Sequence, residues 1–154
     1  MVIRCRLNGR DIERDVDGGM TLLAFLRTEM LMTGTKEGCG RGDCGACTVV
    51  LDGQIVNACL VPLFQVNDKT VETIEGFEED RLMAALRKSF VKHGAIQCGF
   101  CSPGMLIAVW SLLSENPAPT REQVRRGISG NLCRCTGYQA IIDAVMEVAA
   151  LPKS

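Results

Sequence analysis

Eight of the nine cysteines in this sequence fall into two groups whose spacing suits metal binding. The first group sits in GCGRGDCGAC and comprises Cys39, Cys44 and Cys47, with Cys59 further along. A C-x4-C-x2-C run followed by a more distant fourth cysteine is the spacing by which a plant-type [2Fe–2S] site receives its thiolates. Three sulfurs must reach one small centre from a single loop, so the loop has to double back. Gly38, Gly40, Gly42 and Gly45 supply that freedom and let backbone N–H groups approach the sulfurs. Zinc is the competing chemistry, but it favours C-x2-C pairs. The first group therefore reads as an iron–sulfur site.

The second group is Cys98 and Cys101, then Cys133 and Cys135. Residues two apart on a helix point to opposite sides, so Cys133 and Cys135 must lie in irregular chain. A disulfide within C-x-C would close a strained ring. Spacing alone leaves two chemistries open here, an iron–sulfur site and a zinc site, because C-x2-C followed by a later pair is common zinc grammar.

The elements that must carry these loops change character halfway along the chain. VIRCRL and the stretch from Ile12 to Val16 alternate around Asn8-Gly9, a hairpin signal. Thr21 opens an apolar run, Leu22, Leu23, Leu26 and Met30, that suits one helix. TVVL, Asp52-Gly53 and QIVNACL predict a second hairpin, with Cys59 on its return strand, and KTVETIE predicts a further strand. Beyond a boundary at Gly76 to Asp80 the periodicity becomes helical. Leu82, Ala85, Leu86 and Phe90 share one face up to a stop at Gly94, and His93 is expected to cap that helix rather than bind metal. Ser102-Pro103 is expected to cap and open a buried helix, MLIAVWSLL. Thr120 with Gln123 and Thr136 with Gln139 fit capping boxes, the latter opening a helix that carries Ile141, Ile142, Val145, Met146 and Ala149. A mixed sheet with one helix across it, then four helices packed as a bundle, is the expected α+β architecture.

Composition excludes several classes. With 17 Lys plus Arg against 18 Asp plus Glu, the chain has a net charge of −1 and no electrostatic footprint for nucleic acid. No secretory signal opens it, and its longest apolar stretch, Met105 to Trp110, is far short of the ~20 residues of a membrane span. A soluble cytoplasmic protein is expected, and in that reducing compartment cysteines bind metal more readily than they pair. Aromatic content is only 5%, so metal cross-links would help two small cores.

GTKEGCGRGDCGACTV, AIQCGFCSPGM and GNLCRCTGYQ together resemble the signature segments of the small iron–sulfur subunit of the xanthine dehydrogenase family of molybdenum hydroxylases. The likeness runs from the first strand to the last helix. It implies two [2Fe–2S] clusters, one held by Cys39, Cys44, Cys47 and Cys59 and one by Cys98, Cys101, Cys133 and Cys135. It implies a plant-ferredoxin-like β-grasp domain over residues 1–76 and a helical-bundle domain over 77–154. It also implies partners: a large subunit binding molybdopterin, with the cytosine dinucleotide form as one candidate, and a medium subunit binding FAD, assembled as a dimer of heterotrimers. Gln97 and Cys135 match family positions that contact the pterin. By the same carry-over, electrons enter at the helical-domain cluster and leave from the N-terminal one to the flavin. Asp43 and Ser102 stand where the family commonly has glutamate and threonine, and neither is a ligand.

The remaining residues carry ordinary expectations. Cys5 alternates with Ile3 and Leu7 and is expected in the core. Trp110 and the methionines are expected to pack, and Arg134 is equally compatible with offsetting cluster charge, pairing with a partner, or facing solvent. Three function classes follow: an electron-transfer subunit of a molybdenum hydroxylase, a free-standing [2Fe–2S] carrier, and a zinc-stabilised module in the helical half. The substrate, among purines, aldehydes, N-heterocycles, carbon monoxide and aromatic thioesters, belongs to a different subunit.

Overall fold

A computed structural model describes residues 1–152 and places the cysteine loops between a sheet and a set of helices. Strand β1, Val2–Leu7, turns back through Asn8-Gly9 into β2, Arg10–Asp15. Both turn residues have positive φ, +49° and +78°, the conformation that matches the twist of the two strands. Ile3, Cys5 and Leu7 point inward, whereas β2, an edge strand with five charged residues in RDIERD, faces solvent. The second hairpin joins β3, Thr48–Leu51, to β4, Gln54–Asn57. Strand β5, Thr70–Glu72, slots between β1 and β3, parallel to the first and antiparallel to the second. The sheet order is thus β2-β1-β5-β3-β4.

The predicted helix after Thr21 takes a different form from a regular one. Thr21 does cap it, accepting from Ala24 N–H at 3.2 Å, but α1 is regular only over Leu22–Ala24. It then widens into a π-turn over Phe25–Glu29, closed by Met30 N–H donating to Phe25 C=O at 3.1 Å. The wider turn accompanies four apolar side chains, Leu22, Leu23, Phe25 and Leu26, all buried against the sheet.

Four helices follow: α2, Arg81–Lys92; α3, Ser102–Glu115; α4, Arg121–Gly127; and α5, Gln139–Ala149. Helices α2 and α5, α2 and α3, α3 and α4, and α4 and α5 pack as neighbours. The expected capping box at Thr120 and Gln123 is present. Asp80 was not anticipated as a cap, yet its carboxylate accepts from Met83 N–H at 2.6 Å and from the Trp110 indole at 3.2 Å. Trp110 in turn packs edge-on to Phe77, with ring centroids 4.8 Å apart.

Two other caps require correction. Ser102 is the first helical residue of α3, not its cap; Cys101 takes the cap position without a side-chain bond. Thr136 lies three residues ahead of α5, whose cap position is Tyr138 in the left-handed conformation, φ +69°. Thr136 is instead used by the cysteine beside it, as described below. The last two residues of the helical unit expected over 77–154 lie outside the described residues.

Strand β3 joins the two cores. Its alternation sends Val49 to the sheet–α1 core with Leu22, Phe25 and Leu63, while Val50 joins the helical core with Phe90, Met105 and Ile141. Helix α3 lies against β3 directly. Cys5 is buried in the first core, as expected, and burial pushes its thiol up to about 11.

Glu147 of α5 ties itself to α2. Its carboxylate meets Lys92, accepts from the Ser89 hydroxyl at 2.6 Å, and faces His93 Nε2 at 3.1 Å. His93 stands at the C-terminal cap of α2. The Lys92 contact, then the Ser89 hydroxyl, hold the Glu147 carboxyl down at about 2. The folded value lies below the ordinary glutamate value of about 4.3. The stabilisation is therefore complete above about 4.3 and is lost as pH falls from there through about 2. Comparing Glu147→Gln with the unsubstituted chain by urea unfolding should show a stability gap at pH 7 that closes across that window. A gap independent of pH would show that the carboxylate charge is not what stabilises the α2–α5 contact.

Candidate metal centres

The first cysteine group lies between α1 and the second hairpin. Cys39 and Cys44 belong to an irregular loop, Cys47 immediately precedes β3, and Cys59 follows β4. Cys59 is not on a strand as expected. It sits in a 3-10 turn, Ala58–Leu60, which bends the chain back toward the loop. Cys39 Sγ accepts from three backbone N–H groups, those of Arg41, Asp43 and Cys44, at 3.5, 3.3 and 3.4 Å. Ala46 N–H approaches Cys44 Sγ at 3.5 Å. Donors from Arg41, then Cys44, pull the Cys39 thiol down to about 6, so part of the charge compensation that thiolates need is built into the loop. Cys47 is buried, and burial pushes its thiol up to about 11. A metal must displace that proton to bind there.

The glycines serve two purposes. Gly40, Gly42 and Gly45 have positive φ, as expected, but Gly38 does not. Gly38 is required for space: a Cβ there would lie 2.7 Å from Cys44 Sγ.

The second group lines two irregular segments, one leading into α3 and one leading into α5. Cys101 and Cys133 are half-buried, while Cys98, Cys135 and Gln97 are exposed at the rim. Burial, then the neighbouring Cys133 thiol, push Cys101 up to about 12. Burial works in the same direction at Cys133, but the Thr136 hydroxyl and N–H, with the Cys135 N–H and the Cys101 thiol, together outweigh it and lower that thiol. Thr136 Oγ1 donates to Cys133 Sγ at 3.1 Å and accepts from Tyr138 N–H at 3.2 Å. Tyr138 completes the bracket, its hydroxyl accepting from Cys133 N–H at 2.8 Å.

All nine cysteines are free thiols. Among the described residues, no three His, Cys, Asp or Glu side chains gather about a point suited to one ion. The sulfurs meet in pairs instead: Cys39 with Cys44 and Cys47 with Cys59, Cys101 with Cys133 and Cys98 with Cys135. Two pairs of thiolates facing each other suit a core of two irons, each completed by two sulfurs, better than one tetrahedral zinc. With N–H donors on Cys39 and Cys44, Gly38 where a side chain would intrude, and the Thr136 hydroxyl on Cys133, the two sets of paired sulfurs fit [2Fe–2S] clusters.

The spacing of the cysteines did not reveal how close the two sites lie to one another. Leu132, beside Cys133, donates its N–H to Cys44 C=O at 2.9 Å. Asn131 is buried and donates to Gly45 C=O at 3.0 Å. A Cβ on Gly104 of α3 would stand 2.4 Å from Gly45 O, and one on Gly45 only 2.3 Å from Gly130 O. Helix α3, the first loop and the second loop therefore stack backbone on backbone. The one sequence signal for this was Gly104, a poor helix former in the first turn of an otherwise apolar helix, which calls for a packing reason.

Comparison with known proteins points to iron–sulfur binding in both halves of the chain. Residues 5–72 match the family model described as a 2Fe-2S iron-sulfur cluster binding domain, and residues 73–146 match that of a [2Fe-2S] binding domain. The chain is 43% identical to the nicotine 6-hydroxylase small subunit of Paenarthrobacter nicotinovorans, covering 94% of this chain and 87% of that one. It is 42% identical to the nicotinate dehydrogenase small FeS subunit of Eubacterium barkeri, covering 94% and 92%. The crystal structure of quinoline 2-oxidoreductase from Pseudomonas putida 86 superposes with a TM-score of 0.92 at 46% identity, over 97% of this chain and 93% of that one.

Proposed function

The chain belongs to the xanthine dehydrogenase family of molybdenum hydroxylases, as a small iron–sulfur subunit, and from that membership we propose that it carries electrons from a molybdopterin centre on a large partner subunit to FAD on another. A [2Fe–2S] cluster, when bound, takes up and returns one electron. In this reading Cys39, Cys44, Cys47 and Cys59 hold one cluster, and Cys98, Cys101, Cys133 and Cys135 the other. Residues 1–76 form a β-grasp domain and 77–154 a four-helix bundle, assembled with the partners as a dimer of heterotrimers in the cytoplasm.

The observation that carries the reading is that two paired-thiol sites lie in contact through their loops. Cys98, Cys135 and Gln97 are exposed at one rim, flanked by exposed Ile96, Phe100 and Leu132. That rim suits docking against the pterin subunit, with Gln97 and Cys135 at the pterin. Leu60, also exposed, lies near the other site, since a Cβ on Gly42 of the first loop would come within 2.4 Å of it. That rim suits the flavin subunit. Among the described residues, no helix is long and apolar enough to cross a membrane.

Native purification tests the reading. The chain is expected to elute with larger subunits bearing molybdenum and FAD, to hold about four irons, two per cluster, and to show two reduced signals by electron paramagnetic resonance. A chain that elutes alone with full iron would establish a free-standing carrier instead. Zinc bound at Cys98, Cys101, Cys133 and Cys135 would overturn the helical-domain assignment.

A further inference from the structure

Asn131 is only 6% exposed and belongs to neither ligand set. Its side-chain amide nevertheless reaches residues 86 and 83 positions earlier, donating to Gly45 C=O at 3.0 Å and to Thr48 Oγ1 at 3.2 Å. The Thr48 hydroxyl donates its own hydrogen bond to the same Gly45 carbonyl at 2.7 Å. Three buried polar groups thus satisfy one another in a closed triangle, and each side of it links the two cysteine loops or braces that link.

Adjacent residues on both loops form the contact that this triangle holds. Leu132, following Asn131, donates to Cys44 C=O at 2.9 Å; Cys44 precedes Gly45, and Cys133 follows Leu132. From Cys44 Sγ to Cys133 Sγ the route therefore consists of covalent bonds and one hydrogen bond, without a gap through space. Electronic coupling decays more slowly along bonds than across gaps. A lengthened Leu132–Cys44 contact would weaken it.

We propose that Asn131 is a positioning residue for electron exchange between the two sites, keeping the Cys44–Leu132 hydrogen bond closed. This rests on the electron-carrier reading above. One electron leaves one centre as the other gains it; Asn131 makes and breaks no covalent bond and no proton moves. The amide suits the task because both of its neighbours, a carbonyl and a hydroxyl, accept from it. A carboxylate of the same shape would turn lone pairs toward Gly45 O. Alanine would leave the triangle open in a place where the backbones are too close for another side chain to enter.

The test compares the iron-loaded full chain with its Asn131→Asp, Asn131→Ala and Thr48→Val variants. Iron content of about four per chain and both separate reduced signals should persist. The magnetic interaction between the two reduced clusters should weaken, and exchange between them after flash photoreduction should slow by up to about fivefold, the change in the closed-to-open ratio when a buried hydrogen bond of ~1 kcal/mol is lost. Amide hydrogen exchange at Leu132 should quicken in parallel. Fully loaded variants with unchanged interaction and rate would overturn the proposal. If the Asn131 variants lose iron, Thr48→Val decides: slower exchange at full iron supports the proposal, and an unchanged rate overturns it. Iron loss in all three would make Asn131 a folding residue and also overturn it. An unsubstituted chain lacking two reduced signals would instead sink the electron-carrier reading.

Discussion

Gly45→Ala is expected to strip iron from both sites at once and to destabilise the chain by about 3 kcal/mol. Two costs add. A side chain at φ +71° carries the left-handed strain of roughly 1–2 kcal/mol, and overpacking a filled site costs a further ~1–3 kcal/mol. The new Cβ would stand 2.3 Å from Gly130 O and 2.7 Å from Asn131 Nδ2. The first of these is backbone, so no rotamer change relieves it. Gly130 cannot retreat freely either, because the next two residues are fastened to the same loop through Asn131 and Leu132. Nor can the first loop move the other way, since Gly104 of α3 closes on the Gly45 carbonyl. The substitution pushes both cysteine loops apart and so disturbs two sites, although Gly45 belongs to one. Gly53→Ala supplies the control: its φ is +80°, but nothing lies within 4 Å of the added methyl. It should lose only the conformational part and keep its iron. Measuring iron per chain and denaturant midpoint for both separates strain from collision. Equal losses in the two variants, with iron retained, would show that the loops can part without consequence.

The legibility of the sequence differs between ligands and the device that joins them. The eight cysteines stood out because metal binding demands particular atoms at particular spacings, and sulfur has few other uses in such density. Both hairpins were readable from Asn8-Gly9 and Asp52-Gly53, whose positive φ values are a local requirement. The first capping box was readable for the same reason, since Thr120 and Gln123 satisfy each other within one turn.

Failures came where a tertiary partner outcompeted the local one. Thr136 has the sequence of a cap, but a thiol lies within reach and its hydroxyl serves Cys133. Cys59 follows a strand-like run, yet a 3-10 turn bends it toward Cys47. Asn131 carried no local signal at all. A buried asparagine is intelligible only once Gly45 and Thr48, more than eighty residues earlier, are known to face it. Val49 and Val50 pose the same problem: adjacent apolar residues gave no hint that they serve opposite cores.

Cys133→Ser is expected to remove one cluster and leave the other, so iron falls from about four to about two per chain and one reduced signal disappears. The hydroxyl is a poor substitute because it must surrender a far more tightly held proton before it can bind metal. Cys133 is also the best supported of its set, receiving the Thr136 hydroxyl on sulfur while its own N–H is held by Tyr138. Those bonds place the sulfur against Cys101 before any metal arrives. The stability cost should be large because, in the proposed ligand set, the cluster would cross-link Cys101 to Cys133 around α3 and α4. Closing a loop of that length by a covalent link is worth ~4 kcal/mol in chain entropy, an upper guide for a metal link. Cys5→Ser is the matching control. It buries a hydroxyl without an evident partner, at ~1–3 kcal/mol, but touches no ligand and should keep full iron. The two variants can therefore lose similar stability while differing in iron, and that dissociation is the informative result. A Cys133→Ser chain that retains both signals would show that the helical-domain cluster takes its fourth ligand from elsewhere, and the pairing of Cys101 with Cys133 would have to be abandoned.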